Sequence, residues 1–600
     1  MNDATIRGPR ALRIALVRPP VLQLRVSLSA YGAILPIGLA YVAAVLRDAG
    51  HLLQVIDAPG EAMAAAHDIE SPIGPLQMSG LTPAQIVERL DPATQVLGIT
   101  HMFLHEWPTI REIATRAKAA IPGLVVVLGG ENATSYWPWI FRETDVVDHC
   151  VLGEGERTMA ALCERLAAGE PVAGLPGVAS RGTHTELAPR ATVLDRAEAR
   201  DAFDAEDRDA TAPRPGAARD TAPAGAGSAR DATAGAAGTA PLEAPLASAP
   251  TLSRRSTDLG ALPRPAWEYF PVERYMAHAD NHGVNRGRSM PLLSTRGCPY
   301  RCTFCSSPDM WTTKYVTRAP REVVDEIKDY IARYRIDNVN FCDLTAIVRR
   351  DWIVEFCRLL AAEVPHLTWQ LPTGTRTEVL DEEVVALLHA TGCRNITYAP
   401  ENGSERMLKI IRKNVLLPRM LGSLRAAHKA GLVTRVNIII GHPKEEWQDI
   451  RKSWAFLVKA AWTGCDDAAV MIFAPYPGSA DFRELLAAGK VEMGEDYHYL
   501  ALARSGFSSR TYNPVMGTRQ LIVTQYLLLL AFYGTAYLSR PWRFVHVLAS
   551  LFTGRETTQL DQLLRTKLQQ RRKARDGGEG ARAGGAPRGG EPAEPRTQAV

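Results

Sequence analysis

Short apolar runs alternate with helical stretches along two long parts of the chain, and this alternation constrains the fold more than any other feature. In the first part the runs cover residues 12–17, 52–57, 95–100 and 124–130. They are rich in β-branched residues and lack polar alternation, which is typical of parallel strands buried on both faces. Strand and helix in alternation predict a doubly wound, Rossmann-like α/β sheet whose ligand binds beyond the carboxyl ends of the strands.

Composition divides the chain into domains. The 600 residues are 46% hydrophobic, enough for about two to four domains. Residues 200–255 contain almost no large apolar side chain, and they predict a disordered linker rich in Ala, Pro and Gly. Residues 571–600 have the same character and predict a disordered tail. The predicted domains therefore cover residues 11–192, 258–480 and a C-terminal helical region at 481–570.

Charge and cysteine content exclude several classes of protein. A formal net charge of +4 gives no reason to expect nucleic-acid binding. The residues ahead of the first strand lack the apolar region and cleavage site of a secretory signal, so we expect a cytoplasmic protein. In a reducing cytoplasm the nine cysteines are not expected to form a disulfide framework, and a tight cysteine cluster indicates a metal site.

Three cysteines lie within eight residues in the middle of the chain. Cys298, Cys302 and Cys305 follow one another at Cys-x3-Cys-x2-Cys spacing. A structural zinc site needs four ligands, and Cys342 is the next cysteine along the sequence, too distant for such a motif. Three thiolates suit a four-iron, four-sulfur cluster with one open iron. The spacing therefore predicts a 4Fe-4S cluster.

The cysteine segment closely resembles the radical S-adenosylmethionine (radical SAM) superfamily, in which the open iron binds the amino and carboxylate groups of S-adenosylmethionine. The rest of this part of the chain fits the barrel that the resemblance implies. We predict six strands with helices between them, which form a partial (β/α)6 barrel with its chemistry at the carboxyl ends of the strands. The predicted strands are residues 292–295, 338–343, 367–373, 395–399, 434–440 and 468–473.

The resemblance also implies where this family binds S-adenosylmethionine. Carboxylate, guanidinium and backbone groups at the strand ends would bond its ribose, amino, carboxylate and adenine groups. For each polar residue the alternative is a capping or core hydrogen bond, and Ser404 is placed as a helix N-cap. Phe304 would pack beside the cofactor or in the core. The positions are Phe304, Asp343, Arg376, Glu401, Ser404 and Gly441.

The first domain resembles the cobalamin-binding domain that precedes many radical SAM barrels. The resemblance covers about residues 12–166 and rests on the residues that follow the strands and on the run "LGGENAT…DHCVLGEGERT". Paired glycines let a backbone approach a bulky ligand closely and leave amides to bond it. The predicted cobalamin-binding residues are Thr100, His101, Gly129, Gly130, Glu131, Gly153 and Gly155.

The lower face of the cobalt has no obvious ligand in the sequence. The Asp-x-His-x-x-Gly motif, which supplies an axial histidine in other cobalamin proteins, is absent. His101 could approach the cobalt from a strand end, or it could be a polar residue near the site. The resemblance then implies cobalamin held without its own nucleotide base or a protein imidazole on the cobalt.

Two further segments have open interpretations. Residues 259–275 are similar to a Pro- and Trp-bearing segment of cobalamin-dependent members, or they form an interdomain brace. Residues 521–538 carry no charge over a length close to the ~20 residues that a bilayer needs. They form core or barrel-capping helices, or residues 521–553 contact a membrane surface. Surface contact would indicate a lipid-like substrate and a peripheral location at the inner membrane.

Together the resemblances imply a cobalamin-dependent radical SAM enzyme, most simply a methyltransferase. A 5′-deoxyadenosyl radical would abstract hydrogen from an unactivated carbon of a small-molecule or lipid-like substrate, and methylcobalamin would supply the methyl group. An electron donor such as flavodoxin or ferredoxin would reduce the cluster. Two alternatives stay open: a cyclase or rearrangement enzyme that transfers no methyl group, and a non-catalytic iron-sulfur and corrinoid carrier.

The linker generates a first prediction. Because residues 200–255 lack apolar side chains that could pack, limited proteolysis of the native protein should cut there first. Deletion of the alanine-rich centre should leave the iron content unchanged. Mass spectrometry of the early fragments locates the cuts. First cuts inside residues 11–192, 258–480 or 481–570 would contradict the predicted disorder of residues 200–255.

Overall fold

The computed structural model describes residues 11–24, 33–181, 250–253, 255–278, 283–500, 502, 510–553, 558, 560–565 and 568. Most of the predicted linker and all of the predicted tail lie outside these residues, so the predicted disorder of both segments stays a prediction. The described residues form two parallel α/β sheets followed by C-terminal helices, which confirms the predicted fold class.

The N-terminal sheet has six strands. Five strands are parallel, and the sixth, Val178–Ser180, pairs antiparallel with His149–Val151. All four predicted strands are present to within about two residues. The last two have three residues each, too short to produce a pattern in the sequence. In sheet order the strands are Leu52–Asp57, Arg13–Arg18, Val96–Thr100, Val125–Gly129, His149–Val151 and Val178–Ser180.

Helices cover both faces of this sheet. They are Ile37–Asp48, Ala58–Glu61, Pro83–Glu88, Trp107–Ala120, Glu131–Glu143 and Gly155–Ala168, with a short 3-10 turn at Leu104–Glu106. A small antiparallel sheet of Val21–Leu24, Leu76–Ser79 and Ala66–Ile69 lies beside them. Its strands contain polar residues and were not predicted, because four-residue strands at the surface lack a continuous apolar run.

The second sheet contains six parallel strands whose order in space follows their order along the chain, as in the partial barrel predicted from the sequence. The strands are Ser289–Leu292, Asn338–Phe341, Thr368–Thr375, Cys393–Glu401, Val433–Ile440 and Asp467–Ile472. The helices between them are Pro320–Tyr334, Arg350–Glu363, Glu382–Ala390, Glu405–Ile410, Leu417–Ala430 and Trp447–Thr463.

The first barrel strand differs from its predicted position at residues 292–295. It ends at Leu292, and Thr295–Arg296 pairs antiparallel with Val316–Thr317 in a separate ribbon. The reason is a buried carboxylate: Asp343 accepts hydrogen bonds from the backbone amides of Ser294 and Thr295. These bonds draw the backbone out of the barrel sheet before the cysteines begin.

Helix Pro320–Tyr334 shows how the sequence sets the packing of the barrel. Proline at its first position lacks the N–H that would be unpaired there, and Arg335 ends the helix in the left-handed conformation. Val323, Ile327 and Tyr330 recur at helical spacing and are buried against the sheet. Each such burial contributes about 1.5–3 kcal/mol.

The C-terminal helix Thr518–Ser539 covers the last strand of the barrel sheet. It packs against helix Trp447–Thr463 and the last strand, Asp467–Ile472. The buried amide of Gln525 donates to the carbonyl oxygen of Val470 at 2.6 Å, so a polar side chain pairs with a backbone group of the edge strand. The helix therefore caps the barrel, in agreement with the barrel-capping interpretation of this segment.

The segment at residues 259–275 braces the two domains. The backbone amide of Ala266 donates to Ala40 in the N-terminal domain, and the indole of the buried Trp267 donates to the Tyr330 hydroxyl at 2.9 Å in the barrel. Side chains from this segment and from both sheets share one hydrophobic cluster. The two domains therefore form one packed body.

Buried ion pairs join the domains beside the cysteines. Glu154 pairs with Arg255 at 3.1 Å, and Glu156 pairs with Arg296 at 2.5 Å. All four side chains are nearly excluded from solvent. Arg296 lies two residues before Cys298, so the turn at Glu154–Glu156 holds the start of the cysteine segment.

Removal of one carboxylate tests the importance of this connection. In Glu156→Ala the carboxylate left to the buried Arg296 guanidinium is Glu154 at 3.9 Å, and loss of one partner of a buried pair costs about 3–5 kcal/mol. We expect the first urea-unfolding transition to lose about that much free energy. The matched control is Glu112→Ala, which removes an exposed pair with Arg116 and should cost less than about 1 kcal/mol. Equal effects would contradict the role of the buried pair.

Candidate functional site

The three clustered cysteines lie on a loop at the carboxyl end of the first barrel strand. This cysteine loop covers residues 297–306, and Cys298, Cys302 and Cys305 are free and partly exposed. The loop must begin with glycine: Gly297 has a φ of +84°, and a Cβ there would lie 2.1 Å from the carbonyl oxygen of Lys314. The amide of Cys305 donates to the carbonyl of Cys302 at 3.1 Å, which folds the second and third cysteines into one turn.

The three thiols have the number and type of ligands that a 4Fe-4S cluster with one open iron needs. Within the described residues, no three His, Cys, Asp or Glu side chains converge as the ligands of one metal ion would. In a 4Fe-4S cluster each thiolate binds a different iron, so three cysteine sulfurs need not meet at one point. Of the six other cysteines, five are buried: Cys150, Cys163, Cys357, Cys393 and Cys465. The sixth, Cys342, directs its thiol to the carbonyl oxygen of Asn340.

Basic side chains surround the thiols. Burial raises the pKa values of Cys298 and Cys302, while the charges of Lys413 and Arg376 lower them. Cations beside a thiol stabilise the thiolate, which is the form that binds metal. Cys305 lies deeper, and burial raises its pKa to about 12. The three sites thus fit thiolates that form on binding of a metal cluster.

Lys413 and Glu401 form a buried pair next to Cys302. The Lys413 ammonium donates to the Glu401 carboxylate at 3.0 Å. Burial lowers the pKa of Lys413, but the charges of Glu401 and Cys302 together raise it above the ordinary value. The backbone of the same segment contacts the cysteine loop, since Thr303 donates to the carbonyl of Ile411. The sequence analysis missed Lys413 because no motif marks a lysine that follows a short helix.

Glu401 has an unusual backbone conformation. It ends the fourth barrel strand with a φ of +66°, in the left-handed region that costs a residue with a Cβ about 1–3 kcal/mol. Such strain persists where the surrounding structure holds the residue in place, commonly at functional sites. The conformation directs the carboxylate to Lys413 and supports the prediction that Glu401 belongs to the site.

Arg376 also contacts the cysteine loop. Its guanidinium stacks on the Tyr300 ring with its carbon 3.3 Å from the ring centre. It donates to the Glu378 carboxylate at 2.9 Å and to the carbonyl of Asn414. Arg376 therefore lies between the loop and the Lys413 segment, where the sequence predicted a cofactor-binding guanidinium.

Asp343 is committed to protein contacts. It is fully buried and accepts hydrogen bonds from the amides and hydroxyls of Ser294 and Thr295. Burial raises the pKa of Asp343 to about 6, although these bonds act in the opposite direction. Its observed contacts match the core hydrogen-bond alternative, because it holds the start of the cysteine loop.

Two other predicted cofactor residues contact protein in the structure. Ser404 occupies an N-cap position, but its hydroxyl donates to the buried Asp449 carboxylate at 2.6 Å. The amide of Gly441 donates to Glu445 at 2.5 Å, and a Cβ on Gly441 would lie 2.6 Å from Leu521. Phe304 is partly buried between the two main hydrophobic clusters, as its core-packing alternative predicts.

The carboxyl edge of the N-terminal sheet faces the cysteine loop. The carboxylate of Glu131 accepts a hydrogen bond from Ser306 at 2.6 Å, and burial raises the pKa of Glu131. Gly130 precedes it with a φ of +119°, where a Cβ would lie 2.7 Å from the carbonyl oxygen of His101. The predicted corrinoid-binding edge and the predicted cluster are thus brought together.

The glycine-rich turns are less open than predicted. The amide of Gly153 donates to the Thr134 hydroxyl at 3.0 Å, so it is not free for a ligand. Gly155 begins a helix, while Thr100 and Gly129 pair with each other in the sheet. The motif around Gly153 supplies Glu154 and Glu156 to the interdomain ion pairs, a role that the sequence analysis did not foresee.

His101 is enclosed in the core. It is fully buried, its Nε2 lies 2.7 Å from the Asn132 amide, and its ring stacks on Trp107. Burial first, and then the neighbouring His498 and His105, lower the pKa of His101 to about 3, so the ring is neutral at pH 7. These contacts favour a polar core residue over a cobalt ligand.

Two apolar side chains beside His101 are exposed instead. Met102 and Phe103 follow the strand that ends at Thr100, and 57% of the Phe103 surface is accessible. The sulfur of Met102 lies close to the position that a Cβ on Gly130 would occupy, which places it at the edge facing the cysteine loop. The signal in the sequence was a pair of apolar residues one position beyond a strand end, after His101.

Comparison with sequence families matches both halves of the chain. The Radical SAM superfamily matches residues 292–457, and the B12 binding domain matches residues 26–163. The chain is 26% identical over 478 residues to cytidylyl-2-hydroxyethylphosphonate methyltransferase of Streptomyces wedmorensis, covering 77% of this chain and 80% of the relative. It is 23% identical to the anaerobic magnesium-protoporphyrin IX monomethyl ester cyclase of Rubrivivax gelatinosus, covering 64% and 57%.

A solved structure shares the fold across both domains. It is the radical S-adenosylmethionine methyltransferase TsrM from Kitasatospora setae, whose structure contains cobalamin and a [4Fe-4S] cluster. The TM-score is 0.52 at 17% sequence identity, and the match covers 80% of this chain and 75% of that one.

Replacement of the thiols tests the predicted cluster. Anaerobically reconstituted protein should hold about four irons and four sulfides, and the triple variant Cys298→Ala, Cys302→Ala, Cys305→Ala should lose them. Cys342→Ala is the matched control, since burial raises the pKa of Cys342 to about 12 and its thiol contacts the carbonyl of Asn340. Iron and sulfide analysis provides the measurement. A stoichiometric cluster in the triple variant would refute the assignment.

Proposed function

Because the chain belongs to the cobalamin-dependent radical SAM enzymes, with a B12-binding domain and a radical SAM domain in one polypeptide, we propose that it is a C-methyltransferase. The observation that carries the proposal is the contact between the carboxyl edge of the N-terminal sheet and the cysteine loop, through Glu131 and Ser306. A relative that matches across both domains is named a methyltransferase, which supports the same reaction class.

The residues of the chain divide into binding and positioning roles. Cys298, Cys302 and Cys305 would hold the cluster. Arg376 and Lys413 place positive charge beside it, where they would stabilise thiolates and attract the carboxylate of S-adenosylmethionine. Both side chains are largely shielded from water, so their charges act strongly at short range.

The cofactors supply the difficult chemistry when they are bound: the cluster an electron, S-adenosylmethionine a radical precursor and methyl groups, and cobalamin a methyl carrier. The protein aligns them and excludes water. Asp343 holds the start of the cysteine loop, and the Glu156–Arg296 pair holds the same loop against the N-terminal domain. Met102 and Phe103 would offer an apolar surface to the corrin ring.

A second candidate is ring closure or rearrangement without methyl transfer. The similarity to the Rubrivivax gelatinosus cyclase favours it, although that match covers less of both chains. A non-catalytic carrier is the third alternative. A carrier would not need the positive charges of Arg376 and Lys413 beside the cysteine loop. Flavodoxin or ferredoxin would serve as the electron donor, and we propose a cytoplasmic location.

Comparison of metabolites tests methyl transfer. We expect an anaerobically grown deletion strain to accumulate a compound one methylene lighter than a product of its parent. The reconstituted enzyme should convert the lighter compound to the heavier one and form S-adenosylhomocysteine and 5′-deoxyadenosine, all measured by mass spectrometry. A product of unchanged carbon count would favour the cyclase alternative.

The Phe103→Glu variant distinguishes the roles of the two domains in the same assay. A carboxylate at this exposed position should weaken cobalamin binding, so we expect loss of the corrinoid absorbance and of methylation. Formation of 5′-deoxyadenosine should persist, because the radical chemistry belongs to the barrel. Leu52→Glu is the control: Leu52 is 53% exposed and begins its strand, at the opposite edge of the sheet. Full cobalamin content in Phe103→Glu would contradict the proposed site.

A further inference from the structure

The outward side of the barrel carries a long apolar face. Helices Trp447–Thr463, Thr518–Ser539 and Trp542–Thr553 form it. We call it the outer face and define it by six exposed residues: Trp454, Trp462, Leu530, Leu538, Trp542 and Val545. Leu530 and Trp462 each expose 69% of their surface. Exposure of so many large apolar side chains on neighbouring helices is typical of an interaction surface.

The two longer helices lie side by side in the same direction. Asn513, just before the start of Thr518–Ser539, donates to the carbonyls of His442 and Glu445, just before the start of the other helix. Arg540, just after the end of Thr518–Ser539, donates to the carbonyls of Ala461 and Trp462. The two helices therefore lie side by side along the length of the shorter one, about 25 Å.

Helix Thr518–Ser539 is apolar on both sides. By length and composition it could cross a membrane, and a third of its most apolar window is buried inside the protein. Leu521, Gln525 and Leu528 face the barrel, and Gln525 pairs with the edge strand. A spanning helix would lose this hydrogen bond and uncover the barrel core, so the helix stays on the barrel and presents its other side outward.

The helices of the outer face are rich in basic residues and poor in acidic ones. The nearest carboxylates are paired, Asp466 with Arg543 and Glu446 with Arg406. From Thr518 to Thr553 the sequence contains arginine but no aspartate or glutamate. The single acidic residue of helix Trp447–Thr463 is Asp449, which is buried and paired with Arg406. Lys452, Lys459 and Arg519 are exposed on the same helices. An apolar face flanked by exposed basic residues is complementary to an anionic lipid surface.

We propose that the outer face docks on an anionic phospholipid bilayer. The tryptophans suit the boundary between headgroups and acyl chains, where indole rings are stable. A second copy of the chain is a poorer occupant, because two such faces would bring like charges together. Leu521, near the start of the helix, covers Gly441 at the carboxyl edge of the barrel. Docking thus places this edge beside the bilayer and, if the proposed function holds, assigns the substrate to the lipid-soluble class.

Vesicle co-sedimentation of the full-length protein tests the proposal. We expect pelleting with vesicles of phosphatidylcholine mixed with phosphatidylglycerol, weaker pelleting at high salt, and little with phosphatidylcholine alone. Trp454→Glu with Leu530→Glu should lower the partition coefficient by about tenfold or more, because both apolar contact and charge complementarity are lost. Leu52→Glu introduces one carboxylate at an exposed leucine of the N-terminal domain and should bind as the wild type does.

Three results would overturn the proposal. They are absence of wild-type binding to the anionic vesicles, equal binding by the double variant, and a dimer in vesicle-free sedimentation velocity that the double variant abolishes. The last result would assign the outer face to a second copy of the chain. Circular dichroism and iron content verify that the double variant is folded. No substrate is present in the assay, so failure of methyl transfer would leave its outcome unchanged.

Discussion

The relation between the two domains depends on the buried pair between Arg296 and Glu156. Removal of two charges from water costs several kcal/mol, and their attraction offsets this cost only in good geometry, so the net stability gained is small. The pair instead determines how the domains fit together, because a shifted interface would leave both charges buried and unpaired. Arg255 and Glu154 repeat the arrangement from a second segment of the chain. The start of the cysteine loop is thereby held against the N-terminal sheet.

The charges beside the cysteine loop indicate what the loop binds. Lys413 and Arg376 are both largely buried, and an isolated buried cation is unfavourable. Glu401 and Glu378 each balance one of them in the protein alone. Three thiolates add negative charge at the same place, so the two cations become more favourable once the cysteines bind metal. The same electrostatics that raises the pKa of Lys413 thus prepares the loop for a negatively charged cluster.

The sequence predicted those features that are local along the chain. Six strands alternating with helices predicted the barrel, although buried polar residues such as Asn338, Asn340 and Gln370 interrupt the apolar pattern of its strands. The cysteine spacing likewise lies within one loop. Features that depend on distant partners were not predictable. Ser404 meets Asp449 only in the folded protein, and Lys413 approaches Cys302 across 111 positions of sequence. The Gly153 motif was recognised as important, but its carboxylates had to be located in space before their partners were known.

Helix Thr518–Ser539 shows why composition alone could not separate a core helix from a membrane helix. A protein core and a bilayer both stabilise apolar side chains, and a helix placed between a barrel and a bilayer would need such side chains on both sides. Gln525 shows which side of the helix faces the barrel, because its buried amide donates a hydrogen bond to the carbonyl oxygen of Val470 in the edge strand. The other side has no such partner among the described residues, and exposed Lys452, Lys459 and Arg519 lie on the same two packed helices. A helix that seals a barrel with a polar contact and faces outward with tryptophan-bearing neighbours is suited to lie flat on a lipid surface. That orientation would keep the hydrogen bond between Gln525 and the edge strand and would bury the apolar side chains that the barrel leaves exposed.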